Sequence, residues 1–155
     1  MLVGEDVVQL AVVGTELDGT EQRALAAVRD ACPDGVPAGI THLVVATCTG
    51  AVAPGLDIQL VEALGLGPRV RRTVVGFMGC YAAVNAVKLA DAFCRADADA
   101  RVLIVSVELC TIHFQKSPEE DHLISNALFG DGAAACLVLG EPLPGPAPCL
   151  ALRAF

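Results

Sequence analysis

Cys80 is the residue in this chain best placed for covalent chemistry. It follows Gly79 and stands between a short apolar run suited to a strand, residues 72–77, and a long run suited to a helix, residues 80–95. A thiol at a helix start meets unpaired backbone N–H groups and the positive end of the helix dipole, and both favour the thiolate. A thiolate attacks acyl groups and divides a hard transfer into two easier ones. Gly79 permits a sharp turn and close approach of a substrate. The same pattern also suits a cysteine that packs as a small apolar residue, and the local residues leave both open.

The other candidate groups are weaker. The seven cysteines are Cys32, Cys48, Cys80, Cys94, Cys110, Cys136 and Cys149. Their number is odd and no CxxC pair occurs, so neither a disulfide framework nor a structural zinc site is expected, and most should be reduced, buried and inert. His42 precedes a core strand and His122 lies in a charged EEDH stretch; both read as structural or solvated. Asp131, within GDG, reads as a turn-holding residue rather than a proton donor. No GxSxG elbow is present, and Gly65-Leu66-Gly67 lacks the rest of a dinucleotide fingerprint.

The elements that must position Cys80 are short and apolar. Thr20 is placed to cap a helix over residues 21–31. HLVVAT, residues 42–47, suits a central strand; a glycine- and proline-containing turn follows, then a helix over residues 57–64. The helix after Cys80 is apolar nearly all round and is expected to be buried. RVLIVSV, residues 101–107, is a third central strand; residues 111–121 read as a polar loop, 127–132 as a turn and 133–139 as a fourth strand. Strands alternating with helices predict an α/β domain with a mostly parallel or mixed sheet.

Composition agrees. The chain has 155 residues, 54% hydrophobic, with no tryptophan and 4% aromatic. That Ala, Val and Leu content suits helices packed on buried parallel strands. The formal net charge is −8 and no basic stripe is present, which argues against a nucleic-acid partner. Apolar stretches are too short to span a membrane. Glu5 and Asp6 stand where a signal peptide needs positive charge, so a cytoplasmic location is expected. Prolines cluster only over residues 142–148, and residues 1–155 are read as a single domain.

The segment GFMGCYAA, residues 76–83, resembles the nucleophile segment of type III polyketide synthases, the chalcone and stilbene synthase family, in its bacterial form. ITHLVVATCTGAVAPGLDIQL (40–60), LGLGPRVRRTVV (64–75), RVLIVSVELCTIHF (101–114) and NALFGDGAAACLV (126–138) resemble further family segments, in order, over about two thirds of the chain. LFGDGAAA is shared loosely with other condensing enzymes; THLV…CTG…PG.D.QL together with GCYAA narrows the resemblance. It implies a thiolase-like fold of layered α/β/α type, with only the N-terminal half present and truncated at both ends relative to the family. It implies an acyltransferase of polyketide biosynthesis that loads an acyl group from acyl-CoA on Cys80. Decarboxylative Claisen condensation with malonyl-CoA would follow. No metal and no cofactor are implied; acyl-CoA and malonyl-CoA are substrates.

Carried over residue by residue, Cys80 matches the nucleophile and Phe129 a channel-lining phenylalanine. Cys48 and Thr49 match the cavity-lining segment, and Thr111, His113 and Ser125 match positions that shape the cavity. The chain also departs from the family. The histidine and asparagine of the family's triad belong to a second half that nothing here resembles. No CoA-binding lysine or arginine carries over, and Glu5, Asp6, Glu16, Asp18 and Glu21 dominate the N-terminal region instead. Ala53 stands where plant enzymes have a larger side chain. A chain of this kind is expected to form a homodimer or to join a complementing C-terminal half. The alternatives are a non-catalytic or split-subunit relative that acts by dimerising, and an acyl carrier using Cys80 alone.

Overall fold

A computed structural model describes residues 6–13, 19–49, 52–141 and 150–152, with 6–13 and 150 described through their backbone alone. The strands are β1 (Asp6–Val13), β2 (His42–Thr47), β3 (Arg71–Gly76), β4 (Arg101–Glu108), β5 (Gly132–Leu139) and β6 (Leu150–Leu152). The helices are α1 (Thr20–Ala31), α2 (Leu56–Leu64), α3 (Ala82–Ala96) and α4 (Glu120–Leu128). The sheet is mixed, in the order β3-β2-β4-β5-β1-β6. β2 pairs in parallel with β3 and with β4, whereas β5 is antiparallel to both β4 and β1.

Three layers follow from the period-two alternation of the strands. Leu43 and Val45 of β2, and Leu103 and Val105 of β4, point to the face covered by α1 and α2. Val44, Val102 and Ile104 point to the other face, against Ala82, Ala86, Ala90 and Cys94 of α3. Those four recur every fourth residue, and their small side chains let the helix lie close on the sheet. Each fully buried valine or leucine contributes roughly 1.5–3 kcal/mol.

The chain leaves β2 for β3 through α2 on one face and returns past β2 to β4 through α3 on the other. Crossovers of one hand that travel in opposite directions must use opposite faces. Sheets wound this way hold ligands in the crevice beyond the carboxyl ends of the strands, where the direction reverses. Here that is the end of β2 and β4, with the end of β3 beside it.

Several sequence expectations change. Thr20 is the first residue of α1 rather than its cap; Gly19 occupies the cap position with a φ of 82°, and no side chain caps the helix. The α3 helix is not buried all round, because only one stripe faces the sheet and Val84 is 40% exposed. The expected polar loop contains a 3-10 turn, Cys110–His113, and its end is the start of α4, which runs to Leu128 into the expected turn. No residue of α4 is buried: Leu123, Ile124, Ala127 and Leu128 recur at helical spacing, but the stripe they form lies exposed. Among the described cysteines, Cys32, Cys94 and Cys136 are buried, Cys48 and Cys110 half-buried and Cys80 exposed; Cys149 lies outside the described residues. Burial pushes the Cys136 thiol up to about 12, as expected of an inert core cysteine. No helix among the described residues is long and apolar enough to cross a membrane.

Candidate active site

Cys80 sits in the 3-10 turn Gly79–Tyr81 that joins β3 to α3, two residues before the first residue of the α-helix. The chain reverses there through two left-handed residues, Phe77 with a φ of 56° and Gly79 with a φ of 61°. Such backbone is uncommon for a residue with a Cβ and persists only where its surroundings hold it. A Cβ on Gly79 would touch nothing within 4 Å, so glycine is needed there for its backbone freedom alone. The turn leaves the Cys80 thiol exposed at the strand end, over a cavity of about 310 Å³ shared with Ser106, Glu108 and Gly130.

Cys48 braces this turn from the end of β2. The Gly79 N–H donates to the Cys48 Sγ at 3.1 Å, and the Cys48 thiol faces the Gly79 carbonyl at 3.9 Å. Cys48 is itself held by Glu108 at the end of β4. One Glu108 oxygen accepts the Cys48 N–H at 2.8 Å, and the other accepts the Thr49 hydroxyl at 2.7 Å. The Thr49 Oγ1 in turn accepts the Leu109 N–H at 2.8 Å. Because β2 and β4 are parallel neighbours, their carboxyl ends lie side by side, and one carboxylate satisfies both segments. Cys48 and Thr49 also line a second cavity of about 260 Å³ with Val74 and Phe77.

Thr49, Thr111, His113, Ser125 and Phe129 come together around a third cavity of about 260 Å³, with Cys110, Phe114 and Asn126. Of the residues expected at the site, Cys80 and Cys48 lie outside this cavity, and Thr49 links it to the Cys48 side. Asn126 anchors its wall: the side-chain carbonyl accepts the Gln115 N–H at 3.3 Å and the amide donates to the Gln115 carbonyl at 2.7 Å. Both of its polar atoms are thereby committed to structure, although His113 stands in the same wall. His42 is a core residue, stacked on Phe93 with centroids 4.3 Å apart. Burial, with the Arg71 guanidinium beside it, lowers its affinity for a proton. His122 lies half-buried in α4.

Asp131 behaves as a structural carboxylate. It accepts the Thr111 N–H and the Thr111 hydroxyl, each at 2.8 Å, and pairs with Arg23 at 3.3 Å. The Thr111 N–H lowers its pKa most; burial opposes this, and the Thr111 hydroxyl and the Arg23 charge add to the lowering.

Sequence reasoning missed Glu108 and Cys110. A signal for Glu108 was available, as the one acid closing the apolar run RVLIVSVE. Cys110 could have been found as the neighbour of Thr111. Burial raises its pKa first, and the charges of Glu108, Asp131 and Cys80 add to that. Among the described residues, no group of three or more His, Cys, Asp or Glu side chains could hold a metal ion.

A layered α/β/α sheet with a cysteine on the turn after a parallel strand is the arrangement of the thiolase-like condensing enzymes. The sequence pattern of the chalcone and stilbene synthases, N-terminal domain, matches residues 6–142. The chain therefore belongs to the chalcone and stilbene synthase family, the type III polyketide synthases, as a stretch of their N-terminal half. It is 45% identical over 103 residues to the alpha-pyrone synthesis polyketide synthase-like Pks18 of Mycobacterium tuberculosis, covering 66% of this chain and 26% of that protein. Among solved structures, it is similar to the C-terminal type III polyketide synthase domain of Steely1 from Dictyostelium. The TM-score is 0.73 at 31% identity, over 79% of this chain and 34% of the other. It is also similar to 1,3,6,8-tetrahydroxynaphthalene synthase from Streptomyces coelicolor, with a TM-score of 0.68 at 30% identity over 79% and 35%. The chain thus spans about a quarter to a third of the length of these relatives.

Proposed function

We propose that this chain is the acyl-loading half of a type III polyketide condensing enzyme. The Cys80 thiolate attacks the thioester carbonyl of an acyl-CoA, the bond to the CoA sulfur breaks, and the departing CoA thiolate takes up a proton. The acyl group is left on the Cys80 Sγ. A malonyl-CoA enolate, generated by decarboxylation, would then attack that thioester. The observation that carries this reading is the exposed Cys80 on a left-handed turn that Cys48 braces through the Gly79 N–H at 3.1 Å. The cavity lined by Thr49, Thr111, His113, Ser125 and Phe129 is the proposed room for the acyl chain. The scheme uses no metal or prosthetic group, and we place it in the cytoplasm, where acyl-CoA esters are made.

Decarboxylation needs a histidine and asparagine that the family resemblance assigns to a second half. An apolar rim around the site favours a partner. Phe77 is 83% and Leu128 73% exposed, with Ile112, Phe114, Leu123 and Ile124 also exposed nearby in sequence. A surface of that kind calls for a cover. We propose a complementing half or a second copy of the chain as that cover. The same rim suits the alternative of a non-catalytic subunit.

Intact-mass spectrometry after incubation with a panel of acyl-CoA esters tests the loading step. The expected result is a single acyl adduct, absent in Cys80→Ala. Loss of no adduct in that variant, or no adduct on any ester, would remove Cys80 as the nucleophile of this chain.

A further inference from the structure

Arg23 is a buried cation to which nothing above gives work. It projects from α1 to the Asp131 carboxylate, 3.3 Å away, and the two side chains are only 9% and 8% exposed. Its Nε and Nη1 are buried without a hydrogen-bond partner. A guanidinium with idle donors is costly to bury, so the pair is a poor stabilising device taken by itself. Its consequence lies on the far side of Asp131. That carboxylate holds the Thr111 N–H through Oδ1 and the Thr111 hydroxyl through Oδ2, the oxygen that also faces Arg23. Thr111 belongs to the 3-10 turn that supplies Cys110, Thr111 and His113 to the cavity wall. The turn's own bonds, Ile112 N–H to the Leu109 carbonyl and Phe114 N–H to the Thr111 carbonyl, keep its shape but do not fix its place against the sheet.

We propose that Arg23 is a positioning residue of the cavity wall: by holding the Asp131 carboxylate it fixes Thr111, and with it Cys110 and His113, and so sets which acyl chains reach Cys80. The guanidinium makes no contact with the cavity and acts only through Asp131 and Thr111. The inference rests on the acyl-loading reading for its functional half and on hydrogen bonding alone for its structural half.

The test uses the 155-residue chain with Arg23→Gln, Arg23→Lys and Asp131→Asn. Amide hydrogen exchange reports Thr111 against Val44 and Val105 of the central strands. In Arg23→Gln, Thr111 is expected to exchange about tenfold faster while Val44 and Val105 keep their protection, because the turn opens locally. Arg23→Lys should restore most of that protection, and Asp131→Asn should behave as Arg23→Gln does. Competition between hexanoyl-CoA and palmitoyl-CoA, read by mass spectrometry, should show the ratio of Cys80 adducts shifted about threefold in Arg23→Gln and returned in Arg23→Lys, a difference below 1 kcal/mol. Thr111 exchange that is unchanged, or that rises in step with Val44 and Val105, overturns the proposal. So does an adduct ratio that stays put while Thr111 loses protection. If the unaltered chain takes no acyl group, the loading reading fails, and the exchange data still decide whether Arg23 places the turn.

Discussion

Glu108 links the two parallel strand ends that flank the site, and its replacement separates hydrogen bonding from charge. In Glu108→Ala the Cys48 N–H and the Thr49 hydroxyl lose acceptors at 2.8 and 2.7 Å. Hydrogen bonds to a charged group contribute about 1.5–3 kcal/mol each when buried. Glu108 is half-buried, so water replaces part of the loss, and a total near 1–3 kcal/mol is expected. For a chain of this size, that lowers Tm by about 3–9 °C. Glu108→Gln keeps one carbonyl for the Cys48 N–H and offers an amide that the Thr49 oxygen can accept, so the expected fall is below about 3 °C. Charge does not tell the two variants apart. The Glu108 carboxylate helps to raise the Cys110 pKa, and both variants remove that charge. Both should therefore lower the Cys110 pKa and speed its alkylation by iodoacetamide at pH 8, followed by peptide mapping. Calorimetry should rank Ala well below Gln, while the Cys110 rate rises in both. Equal losses of stability in the two variants, or an unmoved Cys110 rate, would refute this account of the strand-end network.

Two further outcomes follow from the geometry. Gly79→Ala places a Cβ at a φ of 61° with nothing to clash against, so its cost is the left-handed backbone itself, about 1–2 kcal/mol or about 2–6 °C in Tm; a calorimetric scan that shows no change would mean the turn is not held in that conformation. His42 is held neutral: its Nε2 faces the Arg71 guanidinium at 3.3 Å, and its Nδ1 lies 2.8 Å from the Thr41 hydroxyl. With a folded pKa below its ordinary 6.5, its contribution is fully present above that value and is lost as pH falls through the folded one. Urea unfolding between pH 7.5 and 5 should show stability falling with pH, and a His42→Asn chain should show a shallower slope.

How much was legible beforehand varied with the range of the interaction. The strand over residues 42–47 could be read to the residue, because the five apolar or β-branched side chains from Leu43 to Thr47 form a run with few other fates in a protein of this length. The helix after Cys80 and the strand at 101 were legible for the same reason. The β1 strand, whose residues Val7–Val13 pair with β5, went unassigned although Gly4 and Gly14 bracket its apolar run. The α4 helix is only nine residues long and its apolar residues begin at Leu123, after a charged start, so its pattern falls between a polar loop and a turn. At the candidate site, the strand, glycine and helix around Cys80 leave it open between a nucleophile and a packed cysteine, and the family resemblance is what favours the nucleophile; Thr49, Thr111, His113, Ser125 and Phe129 come from that resemblance alone.

What the sequence alone determined is therefore what local pattern encodes: the apolar strands, the glycine-flanked cysteine, the family and the class of fold. The tertiary structure alone decided which distant groups meet. It set the Cys48 sulfur on the Gly79 amide across 31 positions, Glu108 on Cys48 across 60, and Arg23 on an aspartate in another layer. No spacing rule joins such pairs, because their distance depends on strand order and on the face each crossover takes, and both are set by packing of the whole sheet.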